Sequence, residues 1–448
     1  MQKIYNLDKI QFADWALQEA LKAGAQAARV ELSCISNLTI QCQDTEITSL
    51  QSSDGCGLVL RLFVEGRYGT YSTNRLEQKE LSTLIHNGIA CTRLLSPDPD
   101  RTLPDPARYY KAASLEQNRD EMLALQSFRR SNPGIDATSL ACQVAQPILG
   151  VDPRLIHLST YLANRYGWQY MADSQGFKGY SCCSTAAAYA TANMQDEGDS
   201  RPSDSWMEYA ICLDELQPLL PDLGSKALKA AQQRIGATSI PAGQYHIAIE
   251  PVCLMKLLSP LLEAMQDHNL HQHRSLLQQN KLGDRIVSPL LTLTEEPQRK
   301  GAVSACLFDF EGVRTEYHPL IQEGKLCQWF ISTYYGHKLG ITPVLSGANV
   351  LCIAPGQLSR QEILNSLSDT ILITGFLGGN CNDVTGDFSF GIEGQLYRHG
   401  ERVQGIAGMN LTGNVLQLWN NLSHIANDVE KLPDGYFPTL FFSNIQIA

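Results

Sequence analysis

The chain has 448 residues, of which 44% are hydrophobic and 18% are charged, and its formal net charge is −11. This length and composition allow a large buried core in roughly two or three domains and exclude wholesale disorder. The acidic balance and the lack of a lysine or arginine run argue against direct binding to nucleic acid. No segment approaches the roughly eighteen apolar residues of a membrane helix, and the N-terminus lacks the apolar core of a signal peptide. We therefore expect a cytoplasmic protein that binds no membrane.

The first 95 residues predict two helices that flank a block of strands. Residues 8–23 have a helical apolar period, and alternating segments follow them. Glu65-Gly66 stands between two alternating runs, which predicts a hairpin turn. Apolar residues recur at helical spacing from Leu81 to Ile89, which predicts the second helix.

A similar order returns after a connector at 96–110 that is dense in proline and aspartate. Turns with glycine are predicted at matching places in the two blocks, at Asp54-Gly55 and Gln175-Gly176. We interpret residues 28–95 and 153–236 as two copies of one structural unit. The identity between the two segments is too weak to establish this duplication from the sequence alone.

The predicted elements change near residue 240, because most of the segments after it are predicted strands that contain glycine. Residues 414–429 place Val415, Leu418, Leu422 and Ile425 on one helical face. The sequence predicts an α+β protein with an N-terminal α+β domain at 1–239 and a β-rich C-terminal domain at 240–448.

Thirteen cysteines are spread from Cys34 to Cys381, and no two of them form a C-x-x-C pair. Such spacing fits neither a zinc ribbon nor a thioredoxin motif. We interpret most of these cysteines as small buried side chains in a reducing compartment.

A histidine-rich stretch raises the question of a metal site. His268, His271 and His273 are three of the ten histidines in the chain. A catalytic zinc needs three protein ligands and an open position. His268 and His271 are three residues apart, which suits one face of a helix, whereas His271 and His273 are two apart, which suits one face of a strand. One regular element therefore cannot present all three side chains together. We interpret the stretch as a polar loop; an active metallohydrolase that uses these three ligands is the alternative.

The chain lacks the motifs of several enzyme classes. It has no P-loop and no G-x-G-x-x-G after a strand, so nucleotide binding has no support. Gly386-Asp387-Phe388-Ser389-Phe390-Gly391 is one residue longer than the turn that exposes a nucleophilic serine, and we interpret it as a glycine-dependent turn. No histidine is followed by glutamate, so zinc motifs that begin His-Glu are absent. We assign no catalytic residue to this chain.

Several segments together resemble the PmbA/TldD family, also called modulators of DNA gyrase, over nearly the whole chain. The similar segments are GCGLVLRLFVEGRYGTYSTN (55–74), LPDP (103–106), NKLGDRIVSPLLTLTEEP (280–297), FDFEGVRTEYHPLIQEGKL (308–326) and APGQLSRQEIL (354–364). The most specific stretch is Val384–Ser389. Together with residues 410–430, it resembles the PmbA (TldE) branch rather than the TldD branch.

The resemblance implies that zinc belongs to another chain. In the TldD branch a helix carries H-E-x-x-x-H, which binds zinc together with a cysteine of the C-terminal domain. Counting back from Leu282-Gly283-Asp284 without gaps places those two histidine positions on Ser259 and Ala264. The resemblance therefore implies no cofactor here and zinc on a TldD-like sister subunit.

The resemblance also implies a role for this chain. It would be the non-catalytic subunit of a metallopeptidase that acts on unfolded or extended peptides, inactive alone, with a homodimer as its form without a partner. Thr385, Gly386, Asp387, Phe388 and Ser389 would lie at or near a cavity shared by the subunits; the alternative is that they form only a tight turn. A non-enzymatic modulator of DNA gyrase is a further alternative.

Overall fold

The computed structural model describes residues 7–127, 131–132 and 134–448. The helices are α1 (Leu7–Lys22), α2 (Gln78–Thr92), α3 (Leu115–Leu125), α4 (Ala137–Gln143), α5 (Leu213–Leu216), α6 (Leu223–Gln232), α7 (Met255–Ala264), α8 (Asp267–His271), α9 (Thr333–Leu339), α10 (Arg360–Ser366) and α11 (Val415–Asn420). The strands are β1 (Ala27–Gln43), β2 (Glu46–Val64), β3 (Arg67–Thr73), β4 (Leu155–Asp173), β5 (Lys178–Met194), β6 (Ser203–Ala210), β7 (Gly243–Ile249), β8 (Leu293–Glu295), β9 (His318–Gln322), β10 (Lys325–Leu326), β11 (Leu351–Ile353), β12 (Asp369–Cys381), β13 (Asp387–Arg398), β14 (Glu401–Asn414), β15 (Leu422–Ile425), β16 (Glu430–Leu432), β17 (Gly435–Phe437) and β18 (Leu440–Ile447). The predicted α+β class is confirmed. None of the helices in these ranges has the length and apolar character needed to span a bilayer.

Strands β1 to β6 form one antiparallel sheet in the order β3-β2-β1-β4-β5-β6. The predicted hairpin at Glu65-Gly66 is confirmed, and both residues have the positive φ that a tight turn of this kind requires. The turn predicted at Asp54-Gly55 is wrong, because β1 and β2 stay paired from Ala27 to Gln43 and Gly55 lies opposite Ile35 in mid-strand. The sheet order is symmetrical about the β1–β4 pair, but the duplication itself stays a prediction.

Helices cover one face of this first sheet. Alternate apolar residues of β1 and β2, such as Val30, Leu32 and Leu60, are fully buried against α1 and α2. Small residues of β5 pack in the same way against α4 and α6. Burying a leucine side chain contributes roughly 1.5–3 kcal/mol, so these two clusters account for much of the stability of the helix layer. The opposite face carries polar and small residues, among them Asn37 and Arg165.

The remaining strands form two further sheets, in the orders β10-β9-β8-β11-β17-β16 and β14-β13-β12-β7-β18-β15. Leu411 of β14, the first strand in the second of these orders, also pairs with Ile447 of β18, the last strand but one, so the sheet curves around one hydrophobic core. Both sheets begin after residue 240, but the division into two domains near that residue stays a prediction.

The helix predicted over residues 415–425 is only partly right. The helix α11 ends at Asn420, and Leu422 begins strand β15, which pairs with Phe442 of β18. Leu422 is buried in this strand, and an apolar residue at helical spacing is also expected to be buried in a helix, so the pattern did not distinguish the two. The hydrogen bonds available along β18 favour the strand.

A buried arginine of the first sheet, held by an ion pair there, also binds the C-terminal part. Arg29 of β1 and Asp173 of β4 lie 2.9 Å apart, with side chains 5% and 0% exposed. The same guanidinium donates to the carbonyl oxygens of Phe310 and Glu311 at 3.4 and 2.7 Å. Tyr109 donates its hydroxyl proton to Asp173 at 2.7 Å. The turn around residue 310 is thereby fixed against the sheet.

We expect Arg29→Met to lower the free energy of unfolding by about 3 kcal/mol, because Asp173 would keep a buried charge without its cation. Arg398→Met is the matched control, since Arg398 and its partner Asp369 are 57% and 40% exposed; it should cost about 1 kcal/mol or less. Urea unfolding of both variants measures the difference, and equal losses would contradict the structural role of Arg29.

Candidate functional site

The stretch Thr385–Ser389 lies where β12 turns into β13. The side-chain oxygen of Asn382 accepts hydrogen bonds from the amides of Val384 and Thr385, at 2.9 and 3.2 Å. The amide of Gly386 donates to the carbonyl oxygen of Asn382 at 2.7 Å, and Gly386 has a φ of +79°. The predicted glycine-dependent turn is therefore present.

Asp387 is an exposed carboxylate that two neighbours hold in place. Asn414 donates to it at 3.0 Å and the Thr385 hydroxyl donates to it at 2.9 Å, and these bonds lower the pKa of the Asp387 carboxyl. Phe388 is buried and stacks on Phe390 with ring centroids 5.1 Å apart, whereas Ser389 is exposed. The carboxylate of Asp387 thus stabilises the turn through these two hydrogen bonds. That Thr385–Ser389 lies beside a cavity shared by two subunits stays a prediction.

Helix α7 carries Ser259 and Ala264, the two residues that the family resemblance is expected to place at the zinc-binding positions of the TldD branch. Ser259 donates its hydroxyl proton to the carbonyl oxygen of Met255 at 2.7 Å, one turn earlier in the helix. Ala264 is buried, with 2% of its surface exposed. A helix-bonded hydroxyl and a methyl group cannot replace two imidazole ligands.

The histidine-rich stretch is not an irregular loop throughout, because residues 267–271 form the short helix α8. The rings of His268 and His271 lie 6.5 and 5.5 Å from the ring of Tyr335. His273 follows the helix with a φ of +55°, and its Nδ1 lies 3.1 Å from the side-chain amide of Gln278. Within the described ranges, no group of three His, Cys, Asp or Glu residues could hold a metal ion. In this structure His268, His271 and His273 are therefore not gathered around one point, and a metal site formed by them stays an alternative prediction.

A cavity that the sequence did not indicate lies between the two parts of the chain. It measures about 620 Å³. Its floor is the uncovered face of β4 and β5, including Arg165 and Gln169, and its roof comes from residues 303–310 and 346–349. The only trace in the sequence is that alternate positions of these strands are polar or small.

Buried acids stand in and behind the roof of this cavity. Glu295 is fully buried, and its Oε1 accepts hydrogen bonds from the backbone and side-chain amides of Asn349 at 2.8 and 3.1 Å. Its Oε2 has no hydrogen-bond partner in the described part of the chain. Burial raises the pKa of Glu295 to about 7, and it also raises the pKa of Asp309. The same burial raises the pKa of Cys306 to about 12, so that thiol is a poor nucleophile.

Comparison with known proteins identifies the family. Residues 242–448 match the model of the PmbA/TldA metallopeptidase C-terminal domain, and residues 35–91 match that of PmbA/TldA metallopeptidase domain 1. A crystal structure of a Bacteroides thetaiotaomicron protein described as a modulator of DNA gyrase is 36% identical, covers 99% of both chains and has a TM-score of 0.90. The chain belongs to the PmbA/TldD family.

Two further relatives extend this result. The metalloprotease PmbA of Escherichia coli O157:H7 is 23% identical over 441 residues, which cover 96% of this chain and 94% of that protein. TldE from Thermococcus kodakarensis is 17% identical and has a TM-score of 0.82 over 98% of this chain and 100% of that one, so the two share a fold. The predicted membership of the PmbA/TldD family is confirmed.

Zinc, which a metallopeptidase family implies, does not fit the residues of this PmbA/TldD member. Ser259 and Ala264 offer no imidazole on α7, and the described residues contain no group of three His, Cys, Asp or Glu side chains that could hold a metal ion. We therefore derive no step of catalysis from a metal held by this chain.

The turn gives a test of structure against chemistry. Gly386→Val should cost about 1–3 kcal/mol of stability, because its positive φ strains a branched side chain. An added Cβ would also lie 3.2 Å from Nδ2 of Asn414. Ser389→Ala should stay within about 0.5 kcal/mol of the native chain, as expected at an exposed position. Thermal unfolding compares the two; loss of peptidase activity in an intact complex through Ser389→Ala alone would give that serine a chemical role that we deny.

Glu295 predicts a pH-dependent stability. Because its pKa is raised, the carboxyl of Glu295 binds its proton more tightly in the folded chain than in the unfolded chain. The free energy of unfolding therefore falls as pH rises from about 4.5 to about 7, and it falls no further through this group above that range. The two pKa values differ by an amount that corresponds to about 3 kcal/mol. Glu295→Gln cannot ionise, so its stability relative to the native chain should rise by about that amount across this window. Parallel stability profiles of the two chains would contradict the assignment.

Proposed function

We propose that this chain is the non-catalytic, substrate-guiding subunit of a two-subunit zinc peptidase, and that a TldD-like sister subunit carries the zinc. The observation that carries the proposal is helix α7, which holds Ser259 and Ala264 and no histidine, where the resemblance to the TldD branch leads us to expect two zinc-binding histidines. A bound zinc ion would supply an activated water and a Lewis acid for peptide hydrolysis. Since this chain lacks the donor set, a second chain must provide it.

The names of the relatives support peptide hydrolysis as the activity of the complex. The E. coli protein and a Haemophilus influenzae homologue, 24% identical over 98% of this chain, are both called metalloproteases. An activity of that name is compatible with a chain that lacks zinc ligands if the family member works as part of a complex. We propose a heterodimer as the active form and a homodimer as the form of this chain alone.

Unfolded or extended peptides are the substrate class that we propose. The face of β4 and β5 opposite the helices carries polar and small residues, and part of it is the floor of the cavity of about 620 Å³. An extended chain can reach across such a face and pair with the edge of a sheet, whereas a folded domain is too thick to enter the cavity. The role of this chain would then be to hold the peptide while the sister subunit cleaves it.

Reconstitution tests the proposal. The purified chain alone should not cleave a labelled unstructured peptide. Mixed with a sister subunit that has H-E-x-x-x-H, it should form a stable complex whose cleavage a chelator stops. The triple variant His268→Ala, His271→Ala, His273→Ala should leave the activity of that complex within a few-fold.

The controls separate the two subunits. A sister subunit with its first motif histidine changed to alanine should bind this chain and be inactive. Chelator-sensitive cleavage by this chain alone, or loss of activity in the triple-histidine variant with the complex intact, would contradict the proposal. Failure of any sister subunit with this motif to associate with the chain would contradict it too.

A further inference from the structure

We use the name trough for the uncovered face of the first sheet along β4 and β5. Successive residues of a strand point to opposite faces, so alternate residues of the two strands share this one. The cross-strand pairs along the trough are Tyr161 with Tyr189, Ala163 with Ala187, and Arg165 with Thr185. The alanine side chains are small and leave space above the sheet between the two other pairs. The tyrosines at one end are 40% and 44% exposed.

Arg165 is the charge at the centre of this trough. It lines the roofed cavity of about 620 Å³ on one side and a second cavity, of about 480 Å³ and next to β1 and β2, on the other. Its side chain is exposed, and in the part of the chain that the structure describes no carboxylate lies within ion-pair distance of it. Arg61 on the same sheet differs, since Glu31 binds it at 2.7 Å.

Apolar side chains line the roofed cavity beside Arg165. Phe310 is 59% exposed there, and Phe308, Met171 and Val303 line the same space. An exposed phenylalanine in a cavity wall leaves apolar area in water, and an apolar ligand would remove that area from water. Asp309 also lines the cavity, but its oxygens already accept hydrogen bonds from the Ser346 hydroxyl and from backbone amides.

We propose that this trough binds the C-terminal residue of an extended peptide, with the carboxylate at Arg165 and an apolar side chain in the cavity beside Phe310. The proposal rests on the proposed function in that the peptide is the substrate this chain guides. A C-terminal apolar residue carries a carboxylate and an apolar group on one Cα. The carboxylate of an aspartate or glutamate side chain has no apolar group attached beyond it, so it matches only half of the site.

Binding to this chain without any sister subunit tests the site. The probe is a short peptide ending in Ala-Ser-Leu with a free carboxylate and an N-terminal fluorophore, followed by fluorescence anisotropy. Its C-terminal amide should bind at least about tenfold more weakly, because a charge-assisted hydrogen bond is lost. Arg165→Gln should weaken the acid by a similar factor and leave the amide unchanged, so that the two changes are not additive. Arg165→Lys should recover part of the affinity.

Two controls guard the interpretation. Arg75→Gln removes another exposed arginine, 73% exposed and far along the chain from the trough, and should leave binding unchanged. Phe310→Ala should reduce the preference for a peptide ending in leucine over one ending in alanine by several-fold, with the effect of Arg165→Gln retained. Circular dichroism confirms that each variant is folded.

The outcomes decide the proposal independently of the proposed function. Equal binding of acid and amide, no effect of Arg165→Gln, or no binding at a peptide concentration of about 1 mM would overturn it. Equal, Arg165-dependent binding of an amidated peptide with aspartate before its last leucine would overturn the choice of a C-terminal carboxylate. If the peptide binds as expected but no sister subunit associates with the chain, the binding site at Arg165 is supported and the proposed function is contradicted.

Discussion

The arrangement of the two parts depends on the guanidinium of Arg29, which pairs with Asp173 in the first sheet and also binds the C-terminal part. It is buried, and the guanidinium also holds two main-chain carbonyls of the turn around residue 310. That turn roofs the cavity whose floor is the face of β4 and β5. Moving the turn away would leave donors of a buried guanidinium without their acceptors, which is costly, so the sheet and the turn keep one relative position. The cavity is therefore a fixed feature of this PmbA/TldD member rather than a gap between loosely attached parts.

Local patterns in the sequence predicted helices α1 and α2 and the hairpin of β2 and β3, because strand alternation and helix period report which face of each element is buried. They failed where two structures satisfy the same pattern. The glycine at position 55 suggested a turn, yet β2 runs on through it because the pairing with β1 is unbroken. Leu422 and Ile425 have helical spacing, yet they lie in β15 because the edge of β18 offers hydrogen bonds to them.

Features that depend on residues distant in sequence could not be predicted from it. Glu295 meets Asn349 only through the fold, and the cavity gathers side chains from both parts of the chain. Cys34 and Cys56 form a disulfide because the register of β1 and β2 places them opposite each other, whereas the other eleven cysteines are free. The sequence alone was enough to predict that a zinc motif beginning His-Glu is missing. It was also enough to predict the turn at Gly386, because that turn depends on a glycine.

The central claim is that the zinc of the proposed complex resides on the sister subunit and that this chain positions the peptide. Anomalous X-ray scattering at the zinc edge, from crystals of the complex isolated from its native cell, tests this most directly because it locates the metal rather than counting it. Our account predicts one zinc peak per heterodimer, at the H-E-x-x-x-H helix of the sister subunit, with none near α7 or α8 of this chain. A zinc peak beside Ser259 or among His268, His271 and His273 would contradict it.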